Sequence, residues 1–118
     1  MDRRLKNIGD WGEEQACFFL RRKGFEIVER NFHTPAGELD IVAIKDGDYY
    51  FVEVKTRQNS IFANDLAIGY IKKKRLEKSV KSYCCRRGVA DVSLIMAGLI
   101  VYVDKWKKKV NFRFVVLQ

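Results

Sequence analysis

Glu53, Lys55 and Arg57 alternate with apolar or small residues in the run Phe51-Val52-Glu53-Val54-Lys55-Thr56-Arg57. Side chains on a strand point to opposite faces with period two. Tyr50, Val52 and Val54 then share one face, and Glu53, Lys55 and Arg57 share the other. Three ionisable groups in a row on a strand this apolar need compensation, because burying an unpaired carboxylate or ammonium costs several kcal/mol. A Glu53 to Lys55 pair on a half-exposed sheet is one solution. The preceding run, Gly37-Glu38-Leu39-Asp40-Ile41-Val42-Ala43, offers another. Asp46-Gly47 between the two runs is a strong hairpin signal, and pairing symmetric about it sets Asp40 opposite Glu53. Paired strands lie about 4.8 Å apart, where two carboxylates repel unless a cation sits between them. Two carboxylates beside a lysine suit Mg²⁺ or Mn²⁺, hard ions bound through one or two carboxylates plus substrate phosphate. Such an ion would polarise a phosphoryl oxygen and acidify a water, with Lys55 orienting that water or balancing charge in the transition state.

A third carboxylate comes from the N-terminal part of the chain. On a helical wheel Glu13 falls in the middle of the Ala16, Cys17, Leu20 stripe, whereas Glu14 points aside. It is either a charge favoured near a helix N-terminus or a group aimed at a site. In the second helical segment Lys72 joins the stripe of Leu76, Ser79, Val80 and Tyr83, from which it could reach the same site or snorkel to solvent. Lys74, Arg75, Lys78 and Lys81 cluster outward as a solvated face. With Arg57 and Lys72, three of them (Lys74, Arg75 and Lys78) are the candidate phosphate contacts.

The elements that must position these residues follow from periodicity and turn chemistry. The pattern predicts a helix over Gly9 to Lys23 stopped by Gly24, then strands over Phe25 to Asn31, Glu38 to Ile44 and Tyr49 to Arg57. A second helix is expected over Leu66 to Cys85, stopped by Gly88. Strands over Asp91 to Ala97, Leu99 to Val103 and Val110 to Leu117 follow, around Gly98 and the basic turn Asp104 to Lys109. The order predicts an α/β fold, a mixed sheet flanked by helices, in a single domain covering residues 1–118.

The chain has 118 residues and 23 Lys and Arg against 15 Asp and Glu, a net charge of +8, which attracts polyanions, nucleic acid foremost. With 47% hydrophobic residues it can bury a core, so intrinsic disorder is a poor reading. Its longest uncharged run, Val92 to Val103, is too short to span a membrane, and no apolar segment follows the charged start as in a secretory signal. Cys17, Cys84 and Cys85 form neither a disulfide framework nor a metal-binding spacing, which suits reduced, mostly buried thiols in a cytoplasmic protein. His33 is the only histidine, so zinc or triad chemistry lacks partners, and its expected place is a loop. Trp11 and Trp106 are read as packing residues, with base stacking as the alternative. Lys107-Lys108-Lys109 reads as a charged hairpin turn or a phosphate contact.

Gly9-x-x-Gly12-Glu13-x-x-Ala16, Gly24-Phe25, Arg30-Asn31, residues 37–43 and residues 51–57 together resemble the YraN-like family, small bacterial proteins with the PD-(D/E)xK restriction-endonuclease-like fold. The likeness continues through Lys72, Tyr83 and Asp91-Val92, although Val89-Ala90 stand where the family usually has Arg-Phe. The arrangement is also similar to archaeal Holliday-junction resolvases. The resemblance implies that Glu13, Asp40 and Glu53 are metal ligands and that Lys55 is the catalytic lysine. It implies a Mg²⁺- or Mn²⁺-dependent endonuclease acting on DNA, with branched or junction DNA as a candidate substrate. Two symmetric cuts would require a two-fold homodimer. Other readings remain open beside this one: a non-catalytic nucleic-acid-binding module on the same fold, and an interaction protein that docks acidic partners.

Overall fold

The computed structural model describes residues 3–58, 70–104 and 106–117. Helix α1 (Arg3–Arg22) is followed by a meander of β1 (Glu26–Thr34), β2 (Gly37–Lys45) and β3 (Asp48–Gln58). Helix α2 (Tyr70–Arg87) then leads to β4 (Leu94–Asp104) and β5 (Lys109–Val116). The five strands form one sheet in sequence order; β3 and β4 pair in parallel and the other neighbours are antiparallel. The α/β reading and the mixed sheet between two helices therefore hold.

Each helix covers one face. Ala16, Cys17 and Leu20 of α1 pack against Ile41, Ala43, Val52 and Leu99. On the opposite face Leu76, Val80 and Tyr83 of α2 pack against Val42 and Phe51. The alternation of β3 assigns Glu53, Lys55 and Arg57 to the α2 side with Phe51, and Tyr50, Val52 and Val54 to the α1 side. Among the described residues no helix is long and apolar enough to cross a membrane.

The hairpin register is the one the Asp46-Gly47 turn implies: Lys45 pairs Asp48 and Ile41 pairs Val52. Asp46 at φ 52° and Gly47 at φ 81° both take the left-handed conformation that a tight primed turn requires. The β1–β2 hairpin turn, Pro35-Ala36, is closed by a side chain. Thr34 Oγ1 accepts from Ala36 N and Gly37 N at 3.2 and 3.1 Å, and donates to the Gly37 carbonyl.

Four expectations need correction. Gly98 does not divide two strands: β4 runs unbroken, because β3 and β5 bond it from both sides, with Gly98 opposite Glu53 and Val115. The start of β4 moves from Asp91 to Leu94, since Asp91 is left-handed at φ 60°. The first strand runs on to Thr34, which puts His33 on β1 opposite Glu38 rather than in a loop. The thiols are not mostly buried: Cys17 is buried, Cys84 is half-buried and Cys85 is exposed. The expected start of α2 at Leu66 lies outside the described residues.

Gly12 decides how closely α1 approaches the site strand. A Cβ there would collide with Thr56 Oγ1 and lie 3.3 Å from Thr56 Cβ. Alanine's better helix propensity, worth about 1 kcal/mol, opposes this overlap. Overpacking of this kind costs about 1–3 kcal/mol, so Gly12→Ala is expected to destabilise the protein on balance. Thr56→Ala should restore most of that loss in the double variant, as urea titration of the four proteins would read. An additive double variant would contradict the contact.

Candidate active site

The β2–β3 ladder ends at Ile41 and Val52, one residue short of Asp40 and Glu53. Beyond it a side chain replaces the backbone: Val54 N donates to Asp40 Oδ2 at 2.8 Å. Backbone pairing thus stops just before Asp40 and Glu53, and the Asp40 carboxylate is held by the Val54 N–H instead. Burial, above all, pushes the Asp40 carboxyl up to about 6; the charges of Glu53 and Glu38 act in the same direction, against the Val54 N–H and Lys55. Asp40→Ala removes the acceptor and leaves a part-buried N–H unpaired, an expected loss of about 1–3 kcal/mol. Asp40→Asn keeps an acceptor oxygen and should lose much less in the same denaturation assay.

Glu53 lies between two lysines. Lys55 Nζ is 3.0 Å and Lys72 Nζ 3.9 Å from Glu53 Oε1. Burial acts to lower Lys55, but hydrogen bonding to Lys72 and Glu53 and the charges of Glu53 and Asp40 outweigh it, so its ammonium is held above the ordinary lysine value. Lys72 is depressed, first by its hydrogen bond with Lys55, then by burial and the charge of Lys55. Lys72 therefore does reach the site from α2, with nearly half its side chain exposed.

Among the described side chains of α1, Glu13 is the one in this group. Its carboxyl is pushed up to about 7, chiefly by burial and next by the charge of Asp40, with Arg30 opposing. Arg30 Nη2 lies 3.8 Å from Glu13 Oε2. The Asn31 amide, oriented to suit its neighbours, donates to both Glu13 and Glu38 at 2.9 Å. Asn31 is left-handed at φ 54°, and the register of β1 and β2 places it opposite Asp40. Glu38, whose role the sequence leaves unassigned, is thereby tied to Glu13. Arg30 Nε is buried and donates to nothing among the described residues.

A groove of about 180 Å³ opens beside these groups, lined by Gly37, Glu38, Glu53, Lys72, Arg75 and Ser79 among others. Ser79 Oγ sits 3.1 Å from Thr34 Oγ1, which links the floor of the groove to the β1–β2 turn. Arg75 thus lines the groove rather than standing on a purely outward face. Lys74 and Lys78 are exposed on α2, as expected. Arg57 is half-buried, and its Nη1 donates to the Thr56 carbonyl.

Among the described residues no three His, Cys, Asp or Glu side chains are grouped so as to hold a metal ion. Two of the carboxylates have other partners: Glu13 is engaged by Arg30 and Asn31, and Glu53 by Lys55 and Lys72. What the strands bring together is the Asp40–Glu53 pair, close enough for Glu53 to raise Asp40. Sequence reasoning assigned no role to Arg30 and Asn31. Their signal was the Arg30-Asn31 pair itself, which the family resemblance already singled out.

A profile of the uncharacterised protein family UPF0102 matches residues 12–115, from the turn of α1 that carries Glu13 to the end of β5. The chain belongs to this family, which is the YraN-like family of the sequence resemblance. A UPF0102 protein of Syntrophomonas wolfei is 39% identical over 109 residues, covering 90% of this chain and 93% of its own. A UPF0102 protein of Helicobacter pylori is 38% identical over 102 residues, covering 86% and 87% of the two chains. Among solved structures, an XisH family protein from Nostoc punctiforme aligns with 88% of this chain and 98% of its own. That alignment has a TM-score of 0.43 and 12% identity, too slight a likeness to identify the fold. UPF0102 membership spans every residue of the candidate site.

Proposed function

We propose that this UPF0102 protein is a divalent-cation-dependent phosphodiesterase acting on DNA, on a sheet of the restriction-endonuclease-like type. The observation that carries this reading is the Asp40 and Glu53 pair on adjacent strands, set where the backbone ladder stops, with Lys55 Nζ 3.0 Å from Glu53. The donor chemistry fits Mg²⁺ or Mn²⁺: two carboxylates, of which Asp40 is raised first by burial and then by the charge of Glu53, beside a groove open to a phosphate. Asp40 and Glu53 would hold the cation, with Glu13 close by on α1. When bound, it would supply Lewis-acid polarisation of the phosphoryl oxygen.

The chain's own groups perform the remaining steps. Lys72 and Arg75 face the groove and bind the phosphate backbone by charge, while Lys74 and Lys78 extend the positive surface along α2. Lys55, fixed by Glu53, orients the attacking water and offsets charge that develops on the phosphorus oxygens. Glu13, with its proton affinity near neutrality, is suited to exchange a proton with water at the edge of the site. These contacts address backbone rather than bases, which favours recognition by shape. Cytoplasmic DNA and a two-fold dimer for paired cuts remain part of the same proposal.

The test is Mg²⁺-dependent cleavage of linear, nicked, flapped and four-way DNA, comparing wild type with Asp40→Asn and Glu53→Gln. Cleavage by wild type that both variants lose is the expected result, and cleavage untouched by either would sink the assignment. The occupancy of Glu53 by two lysines supports a second reading, a nucleic-acid-binding module without turnover. That reading expects binding that weakens steeply with salt and no cleavage under any divalent metal.

A further inference from the structure

Among the described residues Trp106 is 89% exposed, whereas the next most exposed large hydrophobic residues, Leu94 and Val116, stand at 47%. An indole left in water forfeits the largest apolar burial available to any side chain. Its turn is nevertheless fixed. Asp104 Oδ1 accepts from Trp106 N at 3.0 Å and from Lys107 N at 3.1 Å, and the β4–β5 ladder closes with Asp104 opposite Lys109. Lys108 takes the left-handed conformation at φ 51°. Lys107, Lys108 and Lys109 are all exposed. Among the described residues, the tip presents one exposed indole and three exposed lysines, with two of its backbone N–H groups held by Asp104.

The register places this tip relative to the candidate site. Because β3 and β4 run in parallel, Lys55 lies opposite Ile100 and Arg57 opposite Tyr102. The tip therefore projects past the C-terminal end of β3, the end that carries Lys55 and Arg57. At 3.3 Å per residue the separation from Lys55 is roughly 15–20 Å. A stacked strand covers that span in on the order of five nucleotides.

We propose that the Trp106 turn is a base-stacking platform that engages an unpaired base a few nucleotides from the phosphate at Lys55, while Lys107, Lys108 and Lys109 take the flanking phosphates. This rests on the reading of the Asp40–Glu53 end of the sheet as a nucleic-acid site and adds to it a substrate class, DNA with unpaired bases. An aromatic face is indifferent to base identity because every base has a π-face. A fully paired duplex offers no such face at its side, so the platform discriminates structure rather than sequence. A tryptophan with lysines also suits an anionic bilayer. Its position at the same sheet end as Lys55 and Arg57 favours nucleic acid.

The experiment measures binding of the full chain in chelator, so that turnover plays no part. The probes are a fluorescein-labelled paired duplex, the same duplex interrupted by unpaired bases, and phosphatidylcholine–phosphatidylglycerol vesicles. Trp106→Ala is expected to weaken binding to the interrupted duplex by about 5- to 100-fold and to the paired duplex by less than about twofold. Trp106→Phe should recover most of the loss. The Lys107→Ala, Lys108→Ala, Lys109→Ala variant should weaken both DNAs and reduce the salt slope by about 2–3. In a Trp11→Phe background the remaining indole emission should change on adding the interrupted duplex. Equal loss on both DNAs, no loss on either, or a Trp106-dependent affinity for vesicles alone would overturn the proposal. If wild type binds no DNA, this proposal and the nucleic-acid reading fall together. If Trp106 selects unpaired DNA that is never cleaved, the platform stands and the phosphodiesterase reading fails.

Discussion

Lys55→Met is expected to lower Mg²⁺-dependent DNA cleavage by about 10²–10³-fold in kcat, the loss typical of removing a group that stabilises developing charge. Methionine keeps the apolar stem that packs along β3 and deletes only the ammonium. The deleted group lies 3.0 Å from Glu53, and Lys72 remains 3.9 Å away to offset that carboxylate. The fold should therefore survive, with stability changed by about 1 kcal/mol or less. Lys72→Met separates the two lysines. Lys72 reaches the site from α2 with nearly half its side chain exposed, which fits a contact to substrate phosphate rather than to the reacting atoms. Its replacement should raise KM several-fold and leave kcat nearly unchanged, the signature of lost uniform binding. Steady-state kinetics on a DNA substrate reads both parameters. An equal fall in kcat for the two variants would show that the pair acts as a unit.

The second large effect concerns stability without metal. Asp40 rises from 3.8 to about 6 and Glu13 from 4.5 to about 7 in the folded protein. Over the window from about pH 4 to pH 7 the folded state therefore holds more protons than the unfolded chain. The sign follows: their stabilisation is complete below the unfolded values and is lost as pH rises through the folded ones. The charge of Asp40 is part of what raises Glu13, so the two contributions do not add in full. Allowing for solvent screening, the metal-free protein should lose about 2–3 kcal/mol between pH 4 and pH 8 from this pair. Asp40→Asn and Glu13→Gln should each flatten the profile measured by urea titration. Mg²⁺ at a hundredfold excess over its Kd would return about 2.7 kcal/mol at pH 8, and far less at pH 5, where protons compete for the same oxygens. A wild-type profile parallel to that of Asp40→Asn would contradict this account.

The parts legible from the sequence were those set by local chemistry. Asp46-Gly47 fixes its own backbone and with it the whole β2–β3 register, so Asp40 and Glu53 can be placed on adjacent strands without knowing the fold. The amphipathic stripe of α1 likewise locates Glu13 at the edge of the core. Gly98 misleads because a glycine's freedom matters only where nothing else restrains it, and two ladders restrain β4. Non-local partners account for the remaining gaps. Asn31 acquires its role through Glu13 and Glu38, and Arg75 through the β1–β2 turn, contacts between segments that periodicity treats separately. Likewise, Glu13, Asp40 and Glu53 share an acidic character, but each is engaged by a different neighbour, which a motif cannot express.

Every residue of the candidate site lies before β4, yet β3 is flanked on one side only by what precedes it. Its other neighbour, from Tyr49 opposite Leu94 to Gln58 opposite Val103, arrives from beyond α2. A chain that stopped after α2 would hold the complete set of reactive side chains on an open sheet edge, with β3 a template for pairing with other chains. During folding, the meander can assemble from neighbours in sequence, but the strand bearing Glu53 and Lys55 is secured only when this distant partner docks. Aggregation in truncated forms is thus the failure the architecture invites, and the apolar run of β4 is what prevents it.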